Sequence, residues 1–225
     1  MTSVQAKICG ITTRDSLEVA VRNGARYIGF VFFDRSPRNI SLAEARALAA
    51  HVPDHVTLCG VFVNPADADL AATLDRVPLG LIQLHGSESP ERVREVKDRF
   101  QLPVMKAFAV RGKDDITRAD QYATIADMLL FDAKAPENMT DALPGGNGLS
   151  FDWRLIKDHD WSVPWMLSGG LTPENVNDAL RQSGAHMVDV SSGVEDHPGV
   201  KSLDKISTFL KAVQSHKAKA TRNCS

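Results

Sequence analysis

Short apolar runs alternate with longer amphipathic segments along nearly the whole chain. The runs have the length and the β-branched content of strands, and the segments between them carry apolar residues three and four positions apart, as amphipathic helices do. The pattern therefore predicts eight strands, each followed by a helix. The strand candidates begin near Val4, Arg26, Thr57, Leu79, Pro103, Asp127, Val163 and His186.

Helix-start signals support this division of the chain. An oxygen-bearing side chain at the N-cap satisfies a free backbone N–H, and proline suits the first helical turn. Helix starts are expected at Ser41, Asn64-Pro65, Ser89-Pro90 and Thr172-Pro173.

Strands that alternate with helices form parallel sheets, and eight such units predict a closed barrel. The predicted fold is α/β: a single (β/α)8 TIM barrel with a parallel eight-stranded core over 1–215, followed by a basic, frayed C-terminal tail over 216–225. The alternative is an open doubly wound sheet, which usually has fewer strands, and no GxGxxG turn follows the first strand here. The segment 133–150, rich in Gly, Pro and Asn, is expected to be a mobile loop over a site.

Composition narrows the classes of function. The chain has 225 residues, of which 43% are hydrophobic and 24% charged, as is typical of a soluble globular protein. Its 26 basic and 28 acidic side chains leave a net charge of -2, so no basic face for nucleic acid is expected. The longest apolar stretch, 27–33, is far shorter than the roughly 20 residues of a membrane-spanning helix. We expect a protein that binds neither nucleic acid nor a membrane.

The N-terminus and the cysteines favour a cytoplasmic protein. The first residues lack the basic start and the apolar core of a signal peptide. Cys9, Cys59 and Cys224 are an odd set without zinc-binding spacing, which is typical of free thiols in a reducing compartment. No metal site is expected.

A barrel of this kind carries its site at the carboxyl ends of the strands. Two glycine-containing turns, SGGLTPENV and SSGVED, follow the seventh and eighth strands, where barrels frequently bind phosphate through backbone N–H groups and a helix N-terminus. The predicted phosphate-binding residues are Gly169, Gly170, Ser191, Ser192 and Gly193. The alternative is that these glycines only form tight turns.

Cys9 ends the first strand, and Lys7 leaves the same side of that strand two residues earlier. The Lys7 ammonium would favour the thiolate and lower the pKa of Cys9 below the usual value of about 8.5, which would give a base or a nucleophile. A buried, inert thiol is the alternative. Cys59 has no such neighbour and is expected in the core.

Three more strand-end residues are candidates for the site. Asp132 closes an apolar strand, where ionisation of a carboxyl is costly, which suits a general acid; an ordinary N-cap or loop aspartate is the alternative. Arg38 can grip a carboxylate through two parallel hydrogen bonds, or it can lie solvated on the surface. His85, in QLHG, can be a polar contact, a metal ligand or a turn residue, and no second ligand at metal-binding spacing accompanies it.

Eight stretches together resemble one family, and they span nearly the whole chain in that family's order. They are KICGIT (7–12), GFVFFDRSPRNIS (29–41), GVFVN (60–64), QLHG (83–86), LLFDAK (129–134), GGNGLSFDW (145–153), LSGGLTPENV (167–176) and VDVSSGVED (188–196). The combination of KICG, the SPR segment and the paired GGL and SSGVE turns is specific. The sequence resembles the phosphoribosylanthranilate isomerases of the tryptophan pathway.

The resemblance implies an Amadori rearrangement without a cofactor, in which N-(5-phosphoribosyl)anthranilate becomes 1-(2-carboxyphenylamino)-1-deoxyribulose 5-phosphate. Asp132 matches the family's general acid, and Cys9 matches its general base. Arg38 would bind the anthranilate carboxylate, and the two glycine turns would bind the phosphate of this small-molecule substrate.

The resemblance also bears on residues without an assigned role. Lys7, His85 and Asp189 match family positions near the site. Asn147 stands in GGNG where many relatives have GGTG, and an effect on loop closure or affinity is the most we expect from it. The family habit implies a monomer.

Three alternative functions stay open. A barrel of this kind could bind a phosphorylated ligand without catalysis, although both the acid and the base positions hold competent groups. An isomerase of histidine synthesis typically uses two aspartates, whereas the first strand here ends in Cys9. A thiol-redox role lacks a resolving partner for Cys9 in the sequence.

Overall fold

The fold is a closed barrel of parallel strands, and the computed structural model describes residues 3–133, 145–146, 148–157 and 159–216. Each strand pairs with the next in chain order, and the eighth pairs with the first to close the ring. The predicted (β/α)8 barrel is confirmed. The barrel strands are β1 (Gln5–Cys9), β2 (Tyr27–Phe32), β3 (Thr57–Phe62), β4 (Leu81–Leu84), β5 (Val104–Val110), β6 (Met128–Ala133), β7 (Trp165–Leu167) and β8 (Met187–Val190).

Helices follow the strands on the outside of the barrel. Between β8 and the last helix the chain also forms a 3₁₀ turn (Ser192–Val194) and a small antiparallel hairpin, β9 (Glu195–His197) with β10 (Val200–Lys201). The sequence pattern does not predict this hairpin, because its strands are too short to show an apolar period. The helices are α1 (Arg14–Arg22), α2 (Leu42–Ala49), α3 (Asp67–Leu74), α4 (Pro90–Phe100), α5 (Lys113–Ala119), α6 (Arg154–Lys157), α7 (Val176–Ser183) and α8 (Leu203–Ser215).

Two apolar layers stabilise the barrel. Outward-facing strand residues such as Ile8 and Phe131 pack against the helices in a large core. Inward-facing residues such as Cys59, Met105 and Leu130 fill the inside of the barrel. This division follows from the pleat, which points successive side chains to opposite faces of a strand. Cys59 is buried in the inner layer, as predicted.

Two of the predicted helix starts are confirmed. Ser41 caps α2, where its side chain and Glu44 form a capping box. Ser89 caps α4, where its side chain accepts a hydrogen bond from Arg92 N and Pro90 lies in the first turn. The local sequence is sufficient here because no distant group competes for these side chains.

The other two predicted starts are wrong. The side chain of Asn64 accepts a hydrogen bond from Ser87 N across the loops, and α3 begins only at Asp67. The hydroxyl of Thr172 accepts a hydrogen bond from Glu174 N within a turn, and α7 begins at Val176. In both places the proline lies before the first helical residue rather than in the first turn of the helix.

Several predictions fall outside the described residues. Of the predicted tail only His216 is described, and α8 ends just before it. Within the predicted loop, 134–144 and Asn147 are not described, and Cys224 also lies outside. Among the helices that are described, none is long and apolar enough to cross a membrane.

Candidate active site

A pocket of about 690 Å³, with the open solvent at its mouth included, lies at the carboxyl ends of the barrel strands. Its lining includes every predicted site residue except Lys7, which lies one step deeper on β1. Apolar side chains such as Phe33 and Leu171 complete the lining. The predicted residues in the lining are Cys9, Arg38, His85, Asp132, Gly169, Gly170, Asp189, Ser191, Ser192 and Gly193.

Closure of the barrel arranges these residues in one arc. β1 lies between β8 and β2, and β7 lies between β6 and β8. Around the rim, Asp132 at the end of β6 is followed by the glycine turn after β7, the turn after β8, Cys9 at the end of β1, and Arg38 in the loop after β2. The two glycine turns therefore separate the carboxyl from the thiol, and the guanidinium lies beyond the thiol.

The Cys9 thiol is buried at the mouth of β1, with 7% of the residue exposed. Gly29 stands opposite it on β2, and a Cβ there would lie 2.9 Å from Cys9 Sγ, so glycine leaves the space that the thiol occupies. Burial raises the pKa of the thiol, and the positive charges of Lys7 and Lys201 offset this only in part. The expectation that Lys7 lowers the pKa of Cys9 below its usual value is therefore wrong.

Burial outweighs the lowering effect of Lys7 on that pKa, and the charge of Lys7 is itself paired. Its Nζ donates to Oδ1 of Asp189 on the neighbouring strand at 3.0 Å, and Ser168 Oγ donates to Oδ2 of the same carboxylate at 3.3 Å. Burial opposes the charge of Lys7, but the attraction of Asp189, together with that of Cys9 and Cys59, outweighs burial and raises the pKa of the ammonium. The negative charge of Asp189 also raises the pKa of Cys9 and so offsets part of the effect of Lys7 on the thiol.

Asp132 lies beside His85 on one side of the pocket. Its Oδ1 accepts a hydrogen bond from the N–H of Ala133 at 2.8 Å, which fixes the carboxyl at the end of β6. Its Oδ2 lies 3.5 Å from Nε2 of His85. Nε2 is buried and makes no hydrogen bond with the described residues. One carboxyl oxygen and one imidazole nitrogen therefore keep their hydrogen-bonding capacity for a ligand.

Gln83 determines which nitrogen of His85 carries the proton. The Cys59 thiol, whose pKa burial raises to about 12, donates to Oε1 of Gln83 at 3.7 Å. This contact orients the amide so that Nε2 of Gln83 donates to Nδ1 of His85 at 2.8 Å. Because Nδ1 accepts, the neutral imidazole carries its proton on Nε2, which points at Asp132.

The two glycine turns form an open cradle of backbone N–H groups. Gly169 and Gly170 have φ of 89° and 63°, the left-handed region that favours glycine. A Cβ on Gly193 would overlap the carbonyl oxygen of Leu171, so only glycine lets these two turns approach each other. The N–H groups of Gly170, Ser192 and Gly193 make no hydrogen bond with any described residue. Such free, convergent N–H groups suit an anion.

The structure changes the expectation for Arg38. The side chain is buried rather than solvated, and its Nε and Nη2 each donate to a carboxylate oxygen of Glu195 at 2.8 Å. Nη2 also donates to the carbonyl of Gly146 at 3.2 Å. The edge that would grip a substrate carboxylate through two parallel hydrogen bonds is therefore occupied. Among the described contacts, Nη1 is left for a ligand.

Sequence reasoning missed three residues that shape the pocket. Gln83 and Glu195 are buried and act through His85 and Arg38, and Lys201 pairs with Glu195 at 2.7 Å. Gln83 lies two residues before His85 in QLHG, a spacing that places both side chains on one face of a strand and could have revealed it. Glu195 and Lys201 give no such signal, because the contacts that define them span distant parts of the chain.

The described residues contain no group of three or more His, Cys, Asp or Glu side chains placed to hold a metal ion. His85 lies near the carboxyl of Asp132 and the amide of Gln83, and the Cys59 thiol contacts the same amide. The described side chains that line the pocket offer a thiol, a carboxyl, an imidazole and a guanidinium.

Comparison with known proteins decides the family. The family model of N-(5'-phosphoribosyl)anthranilate (PRA) isomerase matches residues 6–212. The chain belongs to this family. A relative from Paracoccus denitrificans, an N-(5'-phosphoribosyl)anthranilate isomerase, is 54% identical over 92% of this chain and 96% of its own length. A relative of the same name from Paramagnetospirillum magneticum is 51% identical over 94% of this chain and 97% of its own length. The resemblance seen in the sequence is confirmed.

Solved structures of the family share the fold. The phosphoribosyl anthranilate isomerase of Thermotoga maritima is 39% identical, with a TM-score of 0.84 over 93% of this chain and 98% of its own. Another family structure, 37% identical with a TM-score of 0.81 over 93% of this chain and 98% of its own, holds reduced 1-(o-carboxyphenylamino)-1-deoxyribulose 5-phosphate. A third is described as monomers of the dimeric Thermotoga maritima enzyme. A monomeric state of the present chain stays a prediction.

Proposed function

We propose that this chain converts N-(5-phosphoribosyl)anthranilate to 1-(2-carboxyphenylamino)-1-deoxyribulose 5-phosphate in tryptophan biosynthesis. Membership of the family supports the reaction. The roles of the residues rest on one observation, the arc of a single pocket in which carboxyl, two glycine turns, thiol and guanidinium follow one another. A substrate with a phosphate, a ribose and an aromatic carboxylate carries groups that match this arrangement.

Binding of the substrate uses the two glycine turns in the middle of the arc and the guanidinium at its end. The free N–H groups of Gly170, Ser192 and Gly193 suit the phosphate. Nη1 of Arg38 suits the anthranilate carboxylate, and Phe33 offers an apolar contact for the ring. The ribose then lies between Asp132 and Cys9.

The first step is ring opening. Asp132 in its protonated form donates to the ring oxygen of the ribose, the bond from C1′ to that oxygen breaks, and the nitrogen lone pair forms an iminium at C1′. The carboxylate that remains accepts a hydrogen bond from the Nε2–H of His85, which lies 3.5 Å from Oδ2 before the reaction. The carboxyl is thus stabilised after it has lost its proton.

The second step is proton removal. Cys9 as a thiolate takes the proton from C2′, and the electron pair of that C–H bond neutralises the iminium as an enol-amine. The thiolate is the minor form in the free protein because burial raises the pKa of Cys9. The positive iminium beside the thiol favours the thiolate at the step that uses it, and the buried setting strengthens that attraction.

The last step is tautomerisation of the enol-amine to the ketone. The C2′ hydroxyl loses its proton and C1′ gains one, so C2′ is oxidised and C1′ is reduced within one molecule. These two proton exchanges are with solvent. After proton removal Asp132 is a carboxylate and Cys9 is a thiol, so Asp132 takes up a proton from solvent and Cys9 releases one before the next turnover.

The test is the loss of substrate fluorescence, corrected for spontaneous hydrolysis, in the wild-type chain and in Cys9→Ala and Asp132→Asn. General acid–base catalysis contributes about 10²–10⁴-fold, so each variant is expected to lose turnover by about that factor while keeping its fold. Cys224→Ala and Asp196→Asn are matched controls for a second cysteine and an exposed aspartate, and both should turn over at the wild-type rate.

Each outcome of this test discriminates between functions. If one of the two variants keeps wild-type turnover, the reaction stands and that residue has no part in it. If the folded wild type binds inorganic phosphate but consumes no substrate, the chain is a phosphate-binding barrel without this activity. If the chain instead turns over the aminoimidazole substrate of histidine synthesis, it is the isomerase of that pathway.

A further inference from the structure

Arg38 is held on three sides. Its Cδ stands 2.8 Å from the position that a Cβ on Gly10 would occupy, directly after Cys9. Its Nε and Nη2 donate to the two oxygens of Glu195, and the second hydrogen of Nη2 is donated to Gly146. The direction in which Nη1 points is therefore set by the protein before any ligand binds.

Glu195 is held as firmly as the arginine that it binds. Oε1 also accepts from Lys201 Nζ at 2.7 Å, and Oε2 also accepts from the N–H of Gly199 at 3.3 Å. Burial opposes ionisation of this carboxyl, but the hydrogen bonds and charges of Arg38 and Lys201 outweigh burial and keep the pKa of Glu195 below its usual range. Both oxygens are thus occupied and the carboxylate stays charged.

Lys201 extends this network to the phosphate side of the pocket. Its Nζ donates to the carbonyl of Ser191 at 3.0 Å and to the hydroxyl of Ser191 at 3.2 Å. That hydroxyl donates to the carbonyl of Cys9 at 3.1 Å. One continuous chain of hydrogen bonds therefore runs from Arg38 through Glu195 and Lys201 to the turn after β8 and the end of β1.

We propose that Glu195 is a positioning residue that aims Arg38, so that the substrate carboxylate is bound through Nη1 alone, and that Lys201 fixes this aim relative to the phosphate turn. The inference rests on the proposed role of Arg38. The pocket then selects its substrate by the distance between the substrate's carboxylate and its phosphate, because the network fixes the two binding positions relative to each other. The two cations and one carboxylate of the network leave one positive charge for the bound anion.

The test compares two ligands in wild-type chain and in Glu195→Gln. One ligand is the reduced product analogue named above, and the other is the same molecule without its aromatic carboxyl group. In the variant an amide NH₂ replaces one carboxylate oxygen, so it meets N–H donors that need an acceptor. Arg38 therefore loses its alignment. We expect the carboxylate ligand to bind about 10–100-fold more weakly, which corresponds to the loss of one charge-assisted hydrogen bond. The ligand that lacks the carboxyl should bind nearly as it does to the wild type. In turnover, KM should rise more than kcat falls.

A double variant separates positioning from stability. Because Glu195 acts through Arg38, the pair Arg38→Ala with Glu195→Gln should bind the carboxylate ligand no more weakly than Arg38→Ala alone. Asp196→Asn is the control on the same hairpin, since Asp196 is exposed and pairs with Lys205 at 3.2 Å. It should leave the affinity for both ligands unchanged.

The outcomes distinguish this inference from the proposed function. If Arg38→Ala binds both ligands as the wild type does, the proposed role of Arg38 is wrong. If Arg38→Ala weakens the carboxylate ligand but Glu195→Gln does not, or if the two losses add, only the positioning role is wrong. Should Glu195→Gln fail to fold, Glu195→Asp replaces it, because it keeps the charge but is too short to hold both cations. Weaker binding of the carboxylate ligand alone would support the positioning role, and unchanged binding of both ligands would contradict it.

Discussion

The two sides of the pocket treat their ionisable groups in opposite ways. On the thiol side, formed by Cys9, Lys7 and Asp189 on β1 and β8, the two full charges are paired with each other in the interior. On the carboxyl side, formed by Asp132, His85 and Gln83 on β4 and β6, the imidazole proton is directed at a carboxyl oxygen that is still free for a ligand. On the thiol side the charges are paired before substrate binds, whereas on the carboxyl side a hydrogen-bonding position is left for the substrate.

This difference shows why a charged neighbour in the sequence is a poor guide to the protonation of a thiol. Lys7 lies two residues from Cys9, yet its nearest carboxylate is Asp189, and burial then raises the pKa of the thiol. On the carboxyl side a neutral residue, Gln83, fixes the tautomer of His85 through one hydrogen bond. Pairing and burial, rather than separation along the chain, decide these properties.

The largest expected effect concerns the buried ion pair of Lys7 and Asp189 on the thiol side. Lys7→Met leaves Asp189 as an uncompensated charge in the interior, which costs about 3–5 kcal/mol of unfolding free energy. Chemical denaturation of the variant measures this loss. Lys7→Met combined with Asp189→Asn removes both charges and should recover most of it. An unchanged midpoint for Lys7→Met would show that the pair contributes nothing to stability.

A smaller effect is expected in the pH dependence of Cys9 alkylation by iodoacetamide, followed on the peptide that contains Cys9. A raised thiol pKa means that the thiolate is scarce at neutral pH, and its fraction grows about tenfold per pH unit until the pKa is reached. The rate should therefore still be rising at pH 9. A rate that levels off below about pH 8 would mean that Lys7 does activate the thiol.

The smallest effect is expected for the tautomer on the carboxyl side. Gln83→Leu removes the donor to Nδ1 of His85, so the imidazole proton is no longer fixed on Nε2. The loss of one hydrogen bond corresponds to about a tenfold reduction in turnover. The ¹⁵N chemical shifts of His85 should change from one tautomer to a mixture. A reduced turnover without that spectroscopic change would point to a packing defect instead.

The sequence is sufficient for the parts of the molecule that local rules govern. The strands, the inward side chains of Lys7 and Cys9, and the capping by Ser41 follow from period two and from N-cap chemistry. The positions of Asp132 and the glycine turns at one rim follow from the rule that barrel sites lie at the carboxyl ends of strands. No distant contact changes these outcomes.

The sequence is insufficient where long-range contacts decide. Asn64 has the residue type of an N-cap, but Ser87 on the next loop uses its side chain. The guanidinium of Arg38 has the shape of a carboxylate clamp, but Glu195 occupies that edge from the other end of the chain. The pKa of Cys9 depends on burial that develops only when the barrel closes.

The central claim, that Asp132 and Cys9 act in successive steps from opposite sides of the pocket, is tested most directly by an isotope effect. Substrate deuterated at C2′ is compared with ordinary substrate in single turnovers of Asp132→Asn and Cys9→Ser. In Cys9→Ser proton removal limits the rate, so a full primary isotope effect is predicted. In Asp132→Asn ring opening limits the rate, so the isotope effect should fall toward unity. The same isotope effect in both variants, or the reverse order, would contradict the assignment of the two roles.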